Sequence, residues 1–284
     1  MARKWSDRVV ESMPWLDPLA DSLQGTIRQT RSSIGPPAEV AKDVLHGRWL
    51  GHPLHPALVE VPLGAWTTTL VLDLAGMKNA ADASLAVGIV GAIPAALAGV
   101  ADWSDTSGTD RRIGLLHALL NATGLAMNVG SLIMRRSGSR SPGIALSTLS
   151  LAVVNASAYL GGEMVYNRGI GVNHAAWDIP PTDFTPVADV GALQDGKPVR
   201  VKAGNVAVVL VKRGNDIFAL DATCTHMGGP LDEGVVEDDT ITCPWHGSKF
   251  DLKDGSVLRG PATSPERHFE TRTRDGQVEV RYSG

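Results

Sequence analysis

Four long apolar stretches follow one another between residues 57 and 160, and no other feature restricts the fold of this chain as tightly. They run over 57–77, 84–100, 113–134 and 144–160. Each is about 17 to 22 residues long, the length a helix needs to cross ~30 Å of hydrocarbon. A chain of 284 residues is too short to hide four such helices in a water-soluble core. The breaks between them, KNAADA, DWSDTSGTDRR and RRSGSRSPG, are polar. The pattern predicts an all-α transmembrane bundle of four helices. Gly88, Gly91, Gly99 and Gly124 would let those helices approach closely. Pro94 removes a ladder hydrogen bond and predicts a kink in the second helix. Glu60 and Asp73 lie inside the first span and are expected to face the bundle rather than lipid.

Residues 1–50 form a polar N-terminal segment. Trp15, Leu16, Leu19, Leu23 and Ile27 recur at helical spacing and predict a short amphipathic helix, stopped by Gly35-Pro36-Pro37. No apolar run of signal-peptide type opens the chain, so this segment is expected to stay in the cytoplasm. An even number of spans puts both termini on that same side. The flanking charges decide little: Lys42, Arg48, Arg111, Arg112 and Arg168 on one side face Lys78, Arg135, Arg136 and Arg140 on the other. A formal net charge of −4 gives no reason to expect nucleic-acid binding.

Beyond the fourth span, residues 166–183 read as a linker, rich in glycine and closed by Pro180-Pro181. Over 184–284 the hydrophobic period becomes two. PVRVKA, VAVVLVKR, DIFAL, TITCP, SKFDL, SVLRG, HFETRT and QVEVRY read as strands, with DG turns at Asp254-Gly255 and Asp275-Gly276. The fold class is therefore multi-domain, with an all-α membrane bundle at residues 51–165 followed by an all-β domain.

The chain's two cysteines both lie in that β domain, in CTHMGGPL (Cys224 to Leu231) and CPWHGSKF (Cys243 to Phe250). Each thiol has a histidine close behind it, His226 and His246. Thiolate and imidazole together suit a soft or borderline metal, and zinc could take all four in a tetrahedron. The order is Cys-x-His, sixteen residues, then Cys-x-x-His. This resembles the Rieske [2Fe–2S] family. The resemblance implies that Cys224 and Cys243 hold one iron and that His226 and His246 hold the other, at the exposed tip. It implies that Gly228, Gly229 and Gly247 clear room around the cluster, and that Ser248 donates a hydrogen bond to a cluster sulfide. Two departures stand out. The family's tyrosine that bonds a cysteine sulfur is Phe250 here, and its extra disulfide cysteines are Met227 and Trp245. Both place this chain with the ferredoxin-like, lower-potential members. RGPATSP, from Arg259 to Pro265, resembles the proline loop that covers the cluster. The acidic run LDEGVVEDD between the loops reads as a solvated surface or as a docking patch for a basic partner.

GHPLHP at Gly51 to Pro56 and GGEMVYNRGIGV after the fourth span resemble a bacterial four-span membrane domain of unknown function. That resemblance implies an integral protein of a bacterial-type inner membrane, in contact with membrane lipid. Alternation of the helices gathers His52, His55, Asp102, His117, Glu163 and His174 at one membrane face, with His117 about one turn deep. Such groups cap helix ends, handle quinone and protons, or hold a haem b or a metal; His55 and His117 are the first pair to test. The absence of Cys-x-x-Cys-His excludes c-type haem.

The function expected is one-electron transfer between redox protein partners by a membrane-anchored Rieske protein, exchanging with quinone or haem at its membrane domain. No bond-making active site is evident. The alternatives are a self-contained membrane quinone oxidoreductase and a non-redox sensor or interaction domain stabilised by zinc or a cluster. A Rieske oxygenase needs a second iron held by two histidines and a carboxylate, and only His268 follows the motif.

Overall fold

The structure, a computed structural model, describes residues 5–284. It divides into two units. One comprises residues up to Ala41 together with Pro53–Ile170; the other comprises Lys42–His52 together with Gly171–Gly284.

The first unit is helical. Helices α1 (Trp5–Glu11) and α2 (Asp17–Ile34) precede α3 (Pro36–His46), most of which also belongs to this unit. Then come α4 (Leu54–Leu74), α5 (Lys78–Trp103), α6 (Gly108–Arg136) and α7 (Arg140–Tyr166), all four long and apolar enough to cross a membrane. Helices α5, α6 and α7 begin and end outside the apolar runs that forecast them, because polar flanks continue the hydrogen-bond ladder, whereas α4 begins before its run and stops short of its end, at Leu74. As a result His117 sits more than two turns inside α6 rather than one. Pro62 and Pro94 both lie within helices, α4 and α5.

The four long helices form two tightly packed hairpins, α4 with α5 and α6 with α7. Glycine turns each hairpin at the same place, Gly76 with φ 72° and Gly138 with φ 87°, a backbone state that side chains disfavour. At the turns the charges close into a buried network. The guanidinium of Arg135 is 0 % exposed and donates to Asp73 at 2.8 Å and to Asp82 at 3.1 Å. Arg140 donates to the same two carboxylates. Asp73 thus faces the bundle as expected, but Glu60 does not: it is exposed on α4.

The helix forecast around Trp15 to Ile27 exists as α2, and Gly35 at φ 75° ends it. Its buried face matches the forecast stripe only in part. Leu16, Ala20 and Gln24 are covered, while Trp15, Leu19 and Leu23 are exposed. Leu16 and Ala20 pack on Leu115 of α6, and the Gln24 amide donates to the carbonyls of Trp103 and Thr106. A small residue and an amide that finds two acceptors win the contact over the larger apolar stripe.

The second unit is the β domain. Its ten strands are β1 (Thr185–Asp189), β2 (Pro198–Ala203), β3 (Val206–Arg213), β4 (Asp216–Asp221), β5 (Val235–Glu237), β6 (Thr240–Thr242), β7 (Lys249–Asp251), β8 (Val257–Arg259), β9 (Glu270–Arg274) and β10 (Gln277–Arg281). They form three antiparallel sheets, ordered β1-β10-β9, β2-β3-β4 and β5-β6-β7-β8. Strands β1 and β5 were not expected. β5 lies inside the acidic run, where Val236 packs on the core. That run is tied down by ion pairs as well, Asp232 to Arg200 and Glu237 to Lys249. One apolar cluster unites Val209, Leu220, Ile241, Phe250 and Leu252 with both cysteines.

Candidate metal centre

Two loops build the site, and they are copies of each other in hydrogen bonding. The first follows β4. The Cys224 N–H donates to Gly229 and the Cys224 carbonyl accepts from the Gly228 N–H, both at 2.8 Å. The second links β6 to β7. The Cys243 N–H donates to Ser248 at 2.8 Å, and the Cys243 carbonyl accepts from Gly247 at 3.1 Å. Gly228 and Gly247 each take φ 78°, so both turns need glycine for the same reason. Gly229 is needed for space: a Cβ there would lie 2.7 Å from the Cys243 sulfur.

These turns bring the four donors together in like pairs. The imidazoles of His226 and His246 meet edge to face, with ring centres 4.9 Å apart and their Nδ1 atoms 3.2 Å apart. Both rings are half-buried, whereas both cysteines are buried. The thiols lie within hydrogen-bonding reach of each other. The Cys243 thiol is held down to about 7 by the Cys224 thiol and by the N–H groups of Trp245 and His246, against the pull of burial. Its partner is pushed up, first by that same shared bond and then by burial. Backbone N–H groups are thus aimed at both sulfurs, and at Cys243 the balance favours negative charge. Among the described residues, no three Cys, His, Asp or Glu side chains come together as a single ion requires. Two thiols beside two imidazoles suit a two-metal group in which each metal takes two protein ligands.

The walls are equally specific. Phe250 is fully buried in the cluster that holds both cysteines. The Ser248 hydroxyl accepts the Ala262 N–H at 2.9 Å, which leaves its own proton to donate. The loop from Arg259 to Pro265 is pinned at both ends. Arg259 donates to the Gly247 carbonyl at 3.0 Å, and Thr225 donates to the Ser264 carbonyl at 2.8 Å. Segment 42–52 joins in: the Asp43 carboxylate accepts the Gly260 N–H at 2.9 Å, and the Arg48 guanidinium donates to the Leu258 carbonyl.

Residues 183–273 match the Rieske [2Fe–2S] domain, and residues 51–174 match the predicted membrane protein family DUF2231. The anthranilate 1,2-dioxygenase ferredoxin subunit of Burkholderia cepacia is 32% identical over 98 residues, which span 34% of this chain and 91% of that one. The chain belongs to the Rieske [2Fe–2S] family. The biphenyl 2,3-dioxygenase ferredoxin component of Rhodococcus jostii is 31% identical to this Rieske protein over 36% of its length and 94% of the relative's. Among solved structures, the ferredoxin of carbazole 1,9a-dioxygenase from Nocardioides aromaticivorans is 25% identical, covers 35% of this chain and 98% of its own, and has a TM-score of 0.34.

The Rieske domain also holds a carboxylate that sequence reasoning passed over. Glu266 is 2 % exposed, and its carboxylate accepts the Thr225 N–H at 2.7 Å, on the residue between Cys224 and His226. Burial pushes its carboxyl well above the ordinary range. Its only signal in sequence is a charged residue directly after the Ser264-Pro265 pair.

The six polar residues assigned to one membrane face are distributed over both units. His55, Asp102, His117 and Glu163 belong to the helical unit; His52 and His174 belong to the β unit. His174 packs on the first ligand loop, where a Cβ on Gly228 would lie 3.0 Å from its Nδ1. Within the helical unit His55 and His117 do meet, with ring centres 6.2 Å apart. Glu163 is buried and accepts from the Tyr159 hydroxyl at 3.1 Å, a side-chain contact one turn apart within α7.

Proposed function

We propose that this chain is a membrane-anchored one-electron carrier, in which Cys224, Cys243, His226 and His246 ligate a Rieske [2Fe–2S] cluster and the helical unit fixes it to a bacterial inner membrane. The observation that supports this best is the pairing of donors, two buried thiols under backbone N–H groups and two half-buried imidazoles above. Such a cluster, when bound, accepts and returns single electrons, and histidine ligation raises its potential above that of all-cysteine clusters. The chain's own contribution is shape and charge. The glycine turns let the loops close, the N–H groups face the sulfurs, and the half-buried histidines leave an edge where a redox protein can dock. The named relatives are ferredoxin subunits of dioxygenases, so a protein redox partner is the natural class for this chain too. In this reading both termini lie on one side, as the even number of spans requires, and that side is the cytoplasm.

The test is an electron paramagnetic resonance spectrum of the detergent-solubilised full chain, oxidised and then reduced with dithionite. A reduced Rieske signal, lost in Cys243→Ser and in His246→Ala, is the expected result. Zinc in place of iron, with no signal, would overturn the reading.

The pair His55–His117 favours a second element of this proposal, that the membrane unit exchanges electrons with a quinone or a haem. Full chain that reduces or oxidises a quinone analogue without added subunits would mark a self-contained oxidoreductase. Failure to do so leaves the carrier alone.

A further inference from the structure

The two helical hairpins carry the same histidine in the same setting. His55 stands near the start of α4, and its Nδ1 meets the Ala95 carbonyl of α5 at 2.8 Å. His117 stands sixty-two residues further on, and its Nδ1 meets the Ser157 carbonyl of α7, also at 2.8 Å and also forty residues along the chain. Each ring lies over a glycine of the second helix. A Cβ on Gly99 would come within 2.9 Å of the His55 ring, and one on Gly161 within 3.4 Å of the His117 ring. The turn glycines, Gly76 and Gly138, obey the same sixty-two-residue spacing. The bundle is therefore a repeated hairpin, and its repeated histidines face each other, near-perpendicular and 6.2 Å apart.

We propose that His55 and His117 are the two imidazole ligands of one metal centre inside the helical unit, with haem iron as the occupant. Three features carry this. First, a metal-bound histidine commonly donates its other ring N–H to a backbone carbonyl, which fixes the tautomer and leaves the second nitrogen as a lone pair. Both rings make that bond. For His117 the assignment is reinforced, since the Asn121 amide donates to its Nε2 at 3.0 Å and the Ser157 hydroxyl, itself donating to the His117 carbonyl, accepts at its Nδ1. Second, two imidazoles on opposite sides of one metal have ring centres roughly 6 Å apart, from two metal–nitrogen bonds of about 2 Å plus half a ring on each side. Third, no third Cys, His, Asp or Glu joins the pair among the described residues, as a bare-ion site would ordinarily require. A macrocycle that brings its own four nitrogens needs only two axial imidazoles. Its plane would separate the hairpins, which pack far less closely on each other than within themselves. Asn121 has no amide counterpart in the first hairpin, where the equivalent residue is Val59, and it must swing aside on binding.

Any electron-transfer role for this site rests on the function proposed above; the binding itself does not. The experiment is an optical spectrum and pyridine haemochrome assay on full chain expressed with haem precursor, alongside metal analysis. The expected result is a low-spin b-type spectrum with one haem for each two-iron cluster. It should be lost in His55→Ala and in His117→Ala while the reduced Rieske signal persists, and kept in Asn121→Ala. His117→Met should retain haem with altered bands, which separates ligation from folding. A stoichiometric transition metal beyond the cluster iron, without haem bands and lost in both alanine variants, would uphold the two-imidazole site and overturn haem as its occupant. Cluster-loaded protein with neither haem nor extra metal would overturn the site itself. A Cys243→Ser variant that keeps the haem bands would show the site standing where the cluster is gone.

Discussion

The Glu266 carboxylate accepts the backbone N–H of Thr225 at 2.7 Å, from a position that leaves it only 2 % exposed. Its other oxygen has no hydrogen-bond partner among the described residues, and the nearby Asp221 adds negative charge. Burial therefore dominates, and the folded domain favours the neutral acid. A carboxyl whose folded-state value is raised contributes stability that is complete below its ordinary value of 4.5 and fades as pH rises through the folded-state value. The β domain should lose stability with rising pH across that window. Glu266→Gln, which keeps the acceptor and cannot ionise, should lose less of it. Thermal midpoints of both proteins against pH decide the matter; parallel curves would remove Glu266 as the cause.

Gly229→Ala should empty the metal centre without unfolding the domain. The added methyl would sit 2.7 Å from the Cys243 sulfur and 3.2 Å from the Trp245 ring, and neither can retreat far from a loop held at both ends. Iron per chain should fall several-fold, a loss of about 1–3 kcal/mol in binding from overpacking. Gly191→Ala is the control, because nothing lies within 4 Å of its Cβ and its φ is ordinary. Equal iron content in the two variants would show that the space at Gly229 is not needed.

The donor motif was legible because metal ligation restricts residue type and spacing together, so Cys-x-His and Cys-x-x-His announce themselves without structure. The four spans were legible because lipid demands uninterrupted apolar length. What escaped was whatever depends on pairing between distant segments. Strand β5 is three residues of ordinary alternation within an acidic run, and its partner β6 gives it meaning. The exposure of Leu19 and Leu23 reflects a choice among faces made by Gln24 and its two carbonyls. Glu266 looks like any surface glutamate until the fold sets it behind Thr225. His174 joined the membrane-face histidines by its place after the fourth span, yet it packs on Gly228.

The buried charges at the hairpin turns make a sharper test of the bundle. Asp73 and Arg135 are 2 % and 0 % exposed, and the hydroxyls of Ser131 and Ser147 accept further N–H groups of the guanidinium. Arg135→Met leaves the Asp73 carboxylate buried beside a weaker partner, Arg140, and should cost about 3–5 kcal/mol. The double variant Asp73→Leu, Arg135→Met removes both charges and should recover much of that loss. Unfolding in detergent, followed by tryptophan fluorescence, measures both. A double variant no better than Arg135→Met would mean that the pair carries no coupling.

Phe250 stands at the sequence position where the Rieske resemblance implies a tyrosine whose hydroxyl bonds a cysteine sulfur. It is fully buried and shares one apolar cluster with Cys224 and Cys243. A hydrogen bond to sulfur stabilises the reduced, more negative cluster and raises its potential. Phe250→Tyr adds one such donor, worth about 1 kcal/mol, which is roughly 40 mV for a one-electron couple. Voltammetry of wild type and variant, each with its reduced Rieske signal intact, gives the answer. A higher potential in the variant would identify the missing donor as one determinant of this chain's potential. An unchanged or lower value would mean that the tyrosine hydroxyl finds another acceptor in the apolar cluster, and that the backbone N–H groups around the two cysteines set the potential instead.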